Sequence, residues 1–289
     1  MRIIRAEEMG MCFGVRDALR MTESVADPTQ VTIHGQLVHN PEITTRLAEQ
    51  GFRQSTEEDR TCVPQTPCVL ITAHGISDAE RRRLEMANKE LIDTTCPLVR
   101  RVHSAAKELQ AEGRHVLVIG KPGHVEVRGI VEDLKSYDVI RTGTDVTCYQ
   151  HLRLGIVCQT TVPPDVADAI CAYIQLHNPP ANIRFVDTIC QPTKHRQSAM
   201  LELLARVDAV VVVGGHNSNN TRQLVGPCHG NLTPAVHVES ADELELAWFA
   251  DVKTVGLTAG TSTLESTIAE VHQALVQIGI GQPTGPSVS

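Results

Sequence analysis

Six short runs of β-branched and aliphatic residues, each closed by glycine or small polar residues, constrain this 289-residue chain more than any other feature. They are Val31–Gly35, Val69–Gly75, Val116–Gly120, Leu154–Thr161, Ala209–Gly215 and Thr254–Gly260. Runs of this length, apolar without alternation and ending in glycine, read as strands buried on both faces of a parallel sheet. The stretches between them carry helical spacing, clearest over Leu98–Glu112, Pro164–Leu176, Gln197–Arg206 and Thr263–Ile278. Strand and helix alternating along the whole chain predict an α/β protein with parallel sheets. The length suits two or three domains of roughly 100–150 residues.

A repeat overlies this pattern. Asp93-Thr94-Thr95-Cys96-Pro97 and Asp187-Thr188-Ile189-Cys190-Gln191-Pro192 share Asp-Thr-x-Cys, each after a short strand-like segment and before an amphipathic helix. Cys12 opens a helix in the same way, in Cys12-Phe13-Gly14-Val15-Arg16-Asp17-Ala18-Leu19. The spacings, 96 − 12 = 84 and 190 − 96 = 94, predict three similar α/β units, each offering one cysteine from a strand-to-helix turn. A thiol at a helix N-terminus is favoured as thiolate, the form that iron needs. No compact C-x-x-C signature is present, so spacing alone leaves two other readings open: three unrelated buried cysteines, or a zinc site. The remaining six of the nine cysteines (Cys62, Cys68, Cys148, Cys158, Cys171 and Cys228) lack a comparable turn and read as packing or incidental residues.

Composition narrows the function classes. The net charge of 26 − 34 = −8 argues against a generic nucleic-acid surface, and 3% aromatic residues leave little for base stacking. With 42% hydrophobic residues, no apolar run of about 20 residues and no apolar leader after Met1, the expectation is a globular cytoplasmic protein without a membrane partner. The odd cysteine count argues against a disulfide framework.

Donor-rich loops follow the strands: His34-Gly35-Gln36-Leu37-Val38-His39-Asn40, His74-Gly75, Gly120-Lys121-Pro122-Gly123-His124-Val125-Glu126, Gly214-Gly215-His216-Asn217-Ser218-Asn219-Asn220-Thr221 and Thr258-Ala259-Gly260-Thr261-Ser262-Thr263. Ligands of parallel sheets bind at the carboxyl ends of strands, and helix N-termini favour anions. None of these loops is a Walker or Rossmann fingerprint, so ATP and NAD are not implied. Taken singly, the histidines read as structural and the Asn-Ser-Asn-Asn run as a helix cap; their joint presence with three helix-opening cysteines points to a small anion. Glu126, two residues past His124, is placed to carry a proton if burial raises its pKa, the bland alternative being a solvated loop glutamate.

Together these residues resemble the 4-hydroxy-3-methylbut-2-enyl diphosphate reductase family, the last enzyme of the non-mevalonate isoprenoid pathway. The resemblance runs in order through Cys12-Phe13-Gly14-Val15, Val38-His39-Asn40, Ala73-His74-Gly75, Thr95-Cys96-Pro97-Leu98-Val99 and Gly123-His124-Val125-Glu126-Val127. It continues through Gln159-Thr160-Thr161, Ile189-Cys190 with Arg196-Gln197, Asn217-Ser218-Asn219-Asn220 and Thr258-Ala259-Gly260-Thr261-Ser262. The resemblance implies a trefoil of three α/β domains with small parallel sheets around one central 4Fe–4S cluster, held by Cys12, Cys96 and Cys190 with one iron open. The expected domains are residues 1–95, 96–189 and 190–280, followed by a disordered tail, 281–289. His39, His74, His124, Ser218, Asn219, Asn220 and Ser262 are implied for diphosphate binding, with His39 rather than His34 carrying the His-Asn pair. Glu126 and Thr160 are implied for proton handling, and ferredoxin or flavodoxin as electron donor.

The sequence departs from the family pattern at three places. Asn219 stands where many members have a second serine, Val125 replaces the proline of the commoner His-Pro-Glu, and Thr263-Leu264-Glu265 follows Ser262 where proline is often found. No group that the reaction needs is removed. The competing expectations are a reductase acting on another allylic diphosphate or alcohol, an iron–sulfur sensor that needs the cysteines but not Glu126 or Thr160, and a metal-free hydrolase or isomerase.

Overall fold

The computed structural model describes residues 1–57, 60 and 62–281. In chain order it runs β1 (Arg2–Arg5), α1 (Phe13–Glu23), β2 (Val31–His34), α2 (Pro41–Glu49), β3 (Arg53–Gln54), β4 (Cys68–Ile71), α3 (Asp78–Met86) and β5 (Glu90–Asp93). There follow α4 (Pro97–Ala111), β6 (His115–Ile119), α5 (Val125–Val131), β7 (Tyr137–Ile140), β8 (Arg153–Cys158), α6 (Pro164–His177) and β9 (Asn182–Phe185). The last elements are α7 (Gln191–Leu204), β10 (Ala209–Val213), α8 (Asn219–Gly230), β11 (Ala235–Val238), β12 (Thr254–Ala259) and α9 (Glu265–Gly281). They fall into two compact units: residues 13–193, and residues 1–12 with those from 194 onward.

The larger unit holds two four-stranded parallel sheets, ordered β3-β2-β4-β5 and β7-β6-β8-β9, and the smaller unit holds one, ordered β1-β12-β10-β11. The three sheets share one plan. In each, two inner strands pair, and the strand beside the second of them leads to a cysteine. Strand β1 occupies beside β12 the place that β5 holds beside β4 and β9 beside β8. This corrects one expectation: the N-terminal segment does not belong with residues up to 95 but adds a strand to the C-terminal sheet, where Arg2–Arg5 pair with Thr254–Leu257 and make the buried, apolar β12 an inner strand.

The six apolar runs are the six inner strands, and β6 and β10 are buried at every residue. In β6 the faces alternate: Leu117 and Ile119 pack with Ile156, Ile170 and Ile174, whereas Val116 and Val118 pack with Val102, Leu109 and Ile130. Both faces are covered, which is why the sequence shows a continuous apolar run and no alternation. The outer strands are short and partly exposed, as in β3 (two residues) and β9 (mostly exposed), and leave little trace in sequence. Helix α7 begins six residues before the expected Gln197, because its first turns, Gln191-Pro192-Thr193-Lys194-His195, carry no apolar spacing. Of the tail expected at 281–289, residues 282–289 lie outside the described residues. Among the described residues no helix is long and apolar enough to cross a membrane.

Candidate active site

The Asp-Thr-x-Cys repeat is a defined turn. Asp93 Oδ1 accepts from Thr95 N–H at 2.9 Å, and Asp187 Oδ1 from Ile189 N–H at 3.1 Å, so each aspartate bonds the backbone two residues on. The threonine hydroxyls donate to the last carbonyl of the neighbouring inner strand: Thr94 to Ile71 O at 2.6 Å and Thr188 to Cys158 O at 2.6 Å. Each cysteine N–H then donates to the carbonyl two residues past that strand end: Cys96 to Ala73, Cys190 to Thr160, and Cys12 to Thr261, two past Ala259. The third turn reaches this bond without Asp or Thr, with Gly10 N–H donating to Ala259 O at 3.2 Å. Each cysteine immediately precedes a helix, α1, α4 or α7.

The residues around these thiols suit a cluster. A Cβ at Gly14 would lie 2.6 Å from Sγ of Cys96, so the first turn of α1 must carry glycine for that sulfur to have its place. Thr193 Oγ1 lies 3.1 Å from Sγ of Cys190. Other cysteines differ in kind. Burial pushes the thiols of Cys171 and Cys228 up to about 11, which disfavours the thiolate, and Cys228 donates to Leu224 O.

Three histidines from different loops of the larger unit meet. The rings of His39 and His74 are 4.8 Å apart, His39 and His124 5.7 Å, and His74 and His124 5.8 Å. His39 follows β2, with Nδ1 2.9 Å from Gln36 Oε1, while Asn40 caps α2 by accepting from Ile43 N–H. His124 caps α5: its Nδ1 accepts from Glu126 N–H at 3.1 Å, which leaves its proton on Nε2. His74 follows β4, and its pKa lies well below the usual histidine value, first through burial and then through the neighbouring His39, His124 and Arg60. Its Nδ1 is buried without a hydrogen-bond partner. His34, by contrast, is fully buried with Nε2 2.8 Å from Glu80 Oε1, and lies outside this triangle.

Glu126 is 2% exposed, and burial raises its carboxyl to about 7 against the opposing hydrogen bonds of Thr160. Thr160 donates from N–H to Oε1 at 2.7 Å and from Oγ1 to Oε2 at 2.9 Å. The carbonyl of this same Thr160 accepts from Cys190 N–H at 3.0 Å. A carboxyl poised near neutrality, fixed on one side by two donors, is suited to hold and release a proton.

The smaller unit offers neutral donors. Ser218 caps α8, its Oγ accepting from Thr221 N–H at 3.3 Å. Asn219, Asn220 and Ser262 are buried. Asn220 Oδ1 accepts from Thr261 N–H at 3.0 Å, which ties the α8 loop to the loop after β12, and its Nδ2 is a buried donor without a partner. Gly260 permits this contact, because a Cβ there would stand 2.1 Å from Thr221 Oγ1. Nearby, the metal-ligating atoms of His216, Glu239 and Glu243 lie within 4.8 Å of one another. They also bond within the group: the backbone N–H of His216 donates to Glu239, and His216 Nε2 lies 3.4 Å from Glu243, so the three side chains are knit together by their own contacts.

The predicted site residues therefore stand at the carboxyl ends of inner strands: His39, His74, His124, Glu126 and Thr160 together in the larger unit, and Ser218, Asn219, Asn220 and Ser262 in the smaller. Sequence reasoning missed Gly14, Gln36, Arg60 and Thr193. Only Thr193 left a signal, three residues past a helix-opening cysteine.

A family model described as LytB protein matches residues 3–276. The 4-hydroxy-3-methylbut-2-enyl diphosphate reductase of Aquifex aeolicus is 33% identical over 287 residues, covering 97% of this chain and 98% of that protein. The protein of the same name from Pelobacter propionicus is 35% identical, covering 96% and 99%. Among solved structures, the E-1-hydroxy-2-methyl-but-2-enyl-4-diphosphate reductase of Plasmodium falciparum matches with a TM-score of 0.87 at 26% identity, covering 95% of this chain and 88% of that one. A second, an (E)-4-hydroxy-3-methyl-but-2-enyl diphosphate reductase described as the terminal enzyme of the non-mevalonate pathway, matches at 0.67 with 33% identity, covering 96% and 100%.

Proposed function

The chain belongs to the LytB protein family, and from that membership we propose that it reduces 4-hydroxy-3-methylbut-2-enyl diphosphate to isopentenyl and dimethylallyl diphosphate in isoprenoid precursor biosynthesis. The observation that carries this reading is a buried carboxylic acid, held by Thr160 and raised to about 7, whose backbone N–H bonds His124 of a cluster of three imidazoles. Reductive dehydroxylation consumes two electrons and two protons, and releases the hydroxyl as water. An anion-binding cradle beside a near-neutral acid supplies the binding and proton parts of that balance.

Cys12, Cys96 and Cys190 would hold one 4Fe–4S cluster with one iron open. When bound, the cluster supplies the electrons and a Lewis-acidic iron for the substrate hydroxyl. The chain's own residues do the rest. His39, His74 and His124, with Ser218, Asn219, Asn220 and Ser262, bind the diphosphate and so fix the hydroxyl end, which lowers the entropic part of the barrier. Nδ1 of His124 is engaged by its own helix, so Nε2–H is the group that can donate to the diphosphate. Glu126 in its acid form delivers the proton, and Thr160 holds both carboxylate oxygens as the charge develops. Ferredoxin or flavodoxin serves as electron donor, in the cytoplasm. Three α/β repeats, each closing on one cysteine, are the domain organisation we propose.

The test is anaerobic turnover of cluster-reconstituted protein with a reduced dye and the hydroxymethylbutenyl diphosphate. Formation of both five-carbon diphosphates is the expected result. Full iron content with the substrate untouched would sink the reading, and a sensor would then remain, although a sensor leaves the buried acid of Glu126 without a task.

A further inference from the structure

The three helix-opening cysteines occupy equivalent turns, yet the residue three positions on is not the same. It is Val15 after Cys12, Val99 after Cys96, and Thr193 after Cys190. Thr193 is fully buried, and its N–H donates to Cys190 O at 3.0 Å in the first turn of α7. Its hydroxyl sits 3.1 Å from Cys190 Sγ, near enough for an O–H to sulfur hydrogen bond. A hydroxyl shut off from water directs its proton to an acceptor it can reach. Once the sulfur is a thiolate it is an acceptor only, so the direction of this bond is fixed: Thr193 donates. Cys228 shows the opposite case, where a thiol donates to a helix carbonyl and must keep its proton.

We propose that Thr193 is a positioning residue that, by donating to the Cys190 thiolate, raises the reduction potential of the cluster; the inference rests on the reading of Cys190 as a cluster ligand. A hydrogen bond to a ligand sulfur withdraws electron density from the iron it binds and stabilises the extra charge of the reduced cluster. The other two sulfurs have valine at this position. The hydroxyl therefore marks one corner of a ligand set whose backbone geometry is otherwise repeated.

The experiment compares holoprotein of wild type, Thr193→Val, Thr193→Ser and Thr193→Ala by iron content, cluster midpoint potential and the iron–sulfur stretching bands in H2O and D2O. Valine is nearly isosteric with threonine and is the residue that the other two turns accept. The expected result is full iron in all four, a lower midpoint potential in the valine and alanine variants, and a potential near wild type with serine. A deuterium shift of the iron–sulfur bands should be present with Thr and Ser and smaller without the hydroxyl. Equal potentials at full iron overturn the proposal. So does loss of iron from both hydroxyl-free variants, since the hydroxyl would then serve retention of the cluster. A separate control, Cys190→Ser, isolates the underlying reading: if it keeps all its iron, Cys190 is not a ligand and that reading fails first.

Discussion

The two units do the same local work with different chemistry. His124 caps α5 five residues past Ile119, and Ser218 caps α8 five residues past Val213, with Ile119 and Val213 both ending inner strands. The backbone positions correspond, but one cap is an imidazole and the other a hydroxyl. The larger unit gathers ionisable groups, namely His39, His74, His124 and Glu126, and burial moves His74 down and Glu126 up. The smaller unit gathers groups that do not titrate, namely Ser218, Asn220 and Ser262. A repeated scaffold fixes where a donor stands, and the side chain placed there decides whether it can also carry charge or a proton.

That contrast breaks first, if it breaks at all, at Glu126. Glu126→Gln should lower turnover roughly 10²–10⁴-fold, with diphosphate affinity and iron content unchanged. Equal turnover loss in Asn220→Ala, without loss of affinity, would move proton chemistry into the smaller unit and end the comparison. Next in size is a stability effect. The folded carboxyl of Glu126 titrates at about 7 against an ordinary 4.5, so the folded state keeps a proton that the unfolded chain releases. Stability should therefore fall as pH rises from 4.5 through 7, by on the order of 3 kcal/mol, and denaturant titrations of Glu126→Gln should lack this decline. His74 has the reverse sign: its depressed pKa means that stability is lost as pH falls below 6.5.

Smaller effects sharpen the contrast. Gly260→Ala should destabilise the smaller unit by roughly 1–3 kcal/mol in denaturant, since its Cβ would meet Thr221 Oγ1 at 2.1 Å. An unchanged midpoint would show that Thr221 swings away at no cost. For binding of inorganic diphosphate to the holoprotein, His74→Ala and Ser262→Ala should each weaken affinity about tenfold, or about 1.4 kcal/mol. They should differ in pH dependence. Wild-type affinity should rise only as pH falls well below 6.5, where His74 takes up a proton beside the anion. His74→Ala should flatten that rise, and Ser262→Ala should lower affinity equally at every pH. Calorimetry at several pH values separates the two, and parallel curves for both variants would erase the distinction between the units.

Much of the candidate site was legible because its residues recur together in the loops that end the apolar runs. His39, His74, His124, Ser218, Asn219, Asn220 and Ser262 all follow apolar runs in sequence, and the rule that ligands meet parallel sheets at strand ends marks those loops. His34 and His39 show how fine the line is: two histidines five residues apart, one buried against Glu80 and the other in the imidazole triangle. What stayed hidden depends on close approach. Gly14 matters through Cys96, 82 residues away, and Arg60 through the carbonyl of His34 at 3.0 Å. Periodicity cannot report such pairs.

Local marks were enough to read the alternation of strand and helix, the inner strands, the helix-opening cysteines and the donor-rich loops of the candidate site, because burial on both sheet faces and helix-start chemistry show in the sequence. Three features come from packing in space: β1 pairs with β12 of the C-terminal sheet, three imidazoles from separate loops meet, and Glu126 is buried with Thr160 on both oxygens. Strand pairing across the length of the chain and the desolvation of one carboxyl depend on what surrounds a residue in space, and its neighbours in sequence carry no record of that.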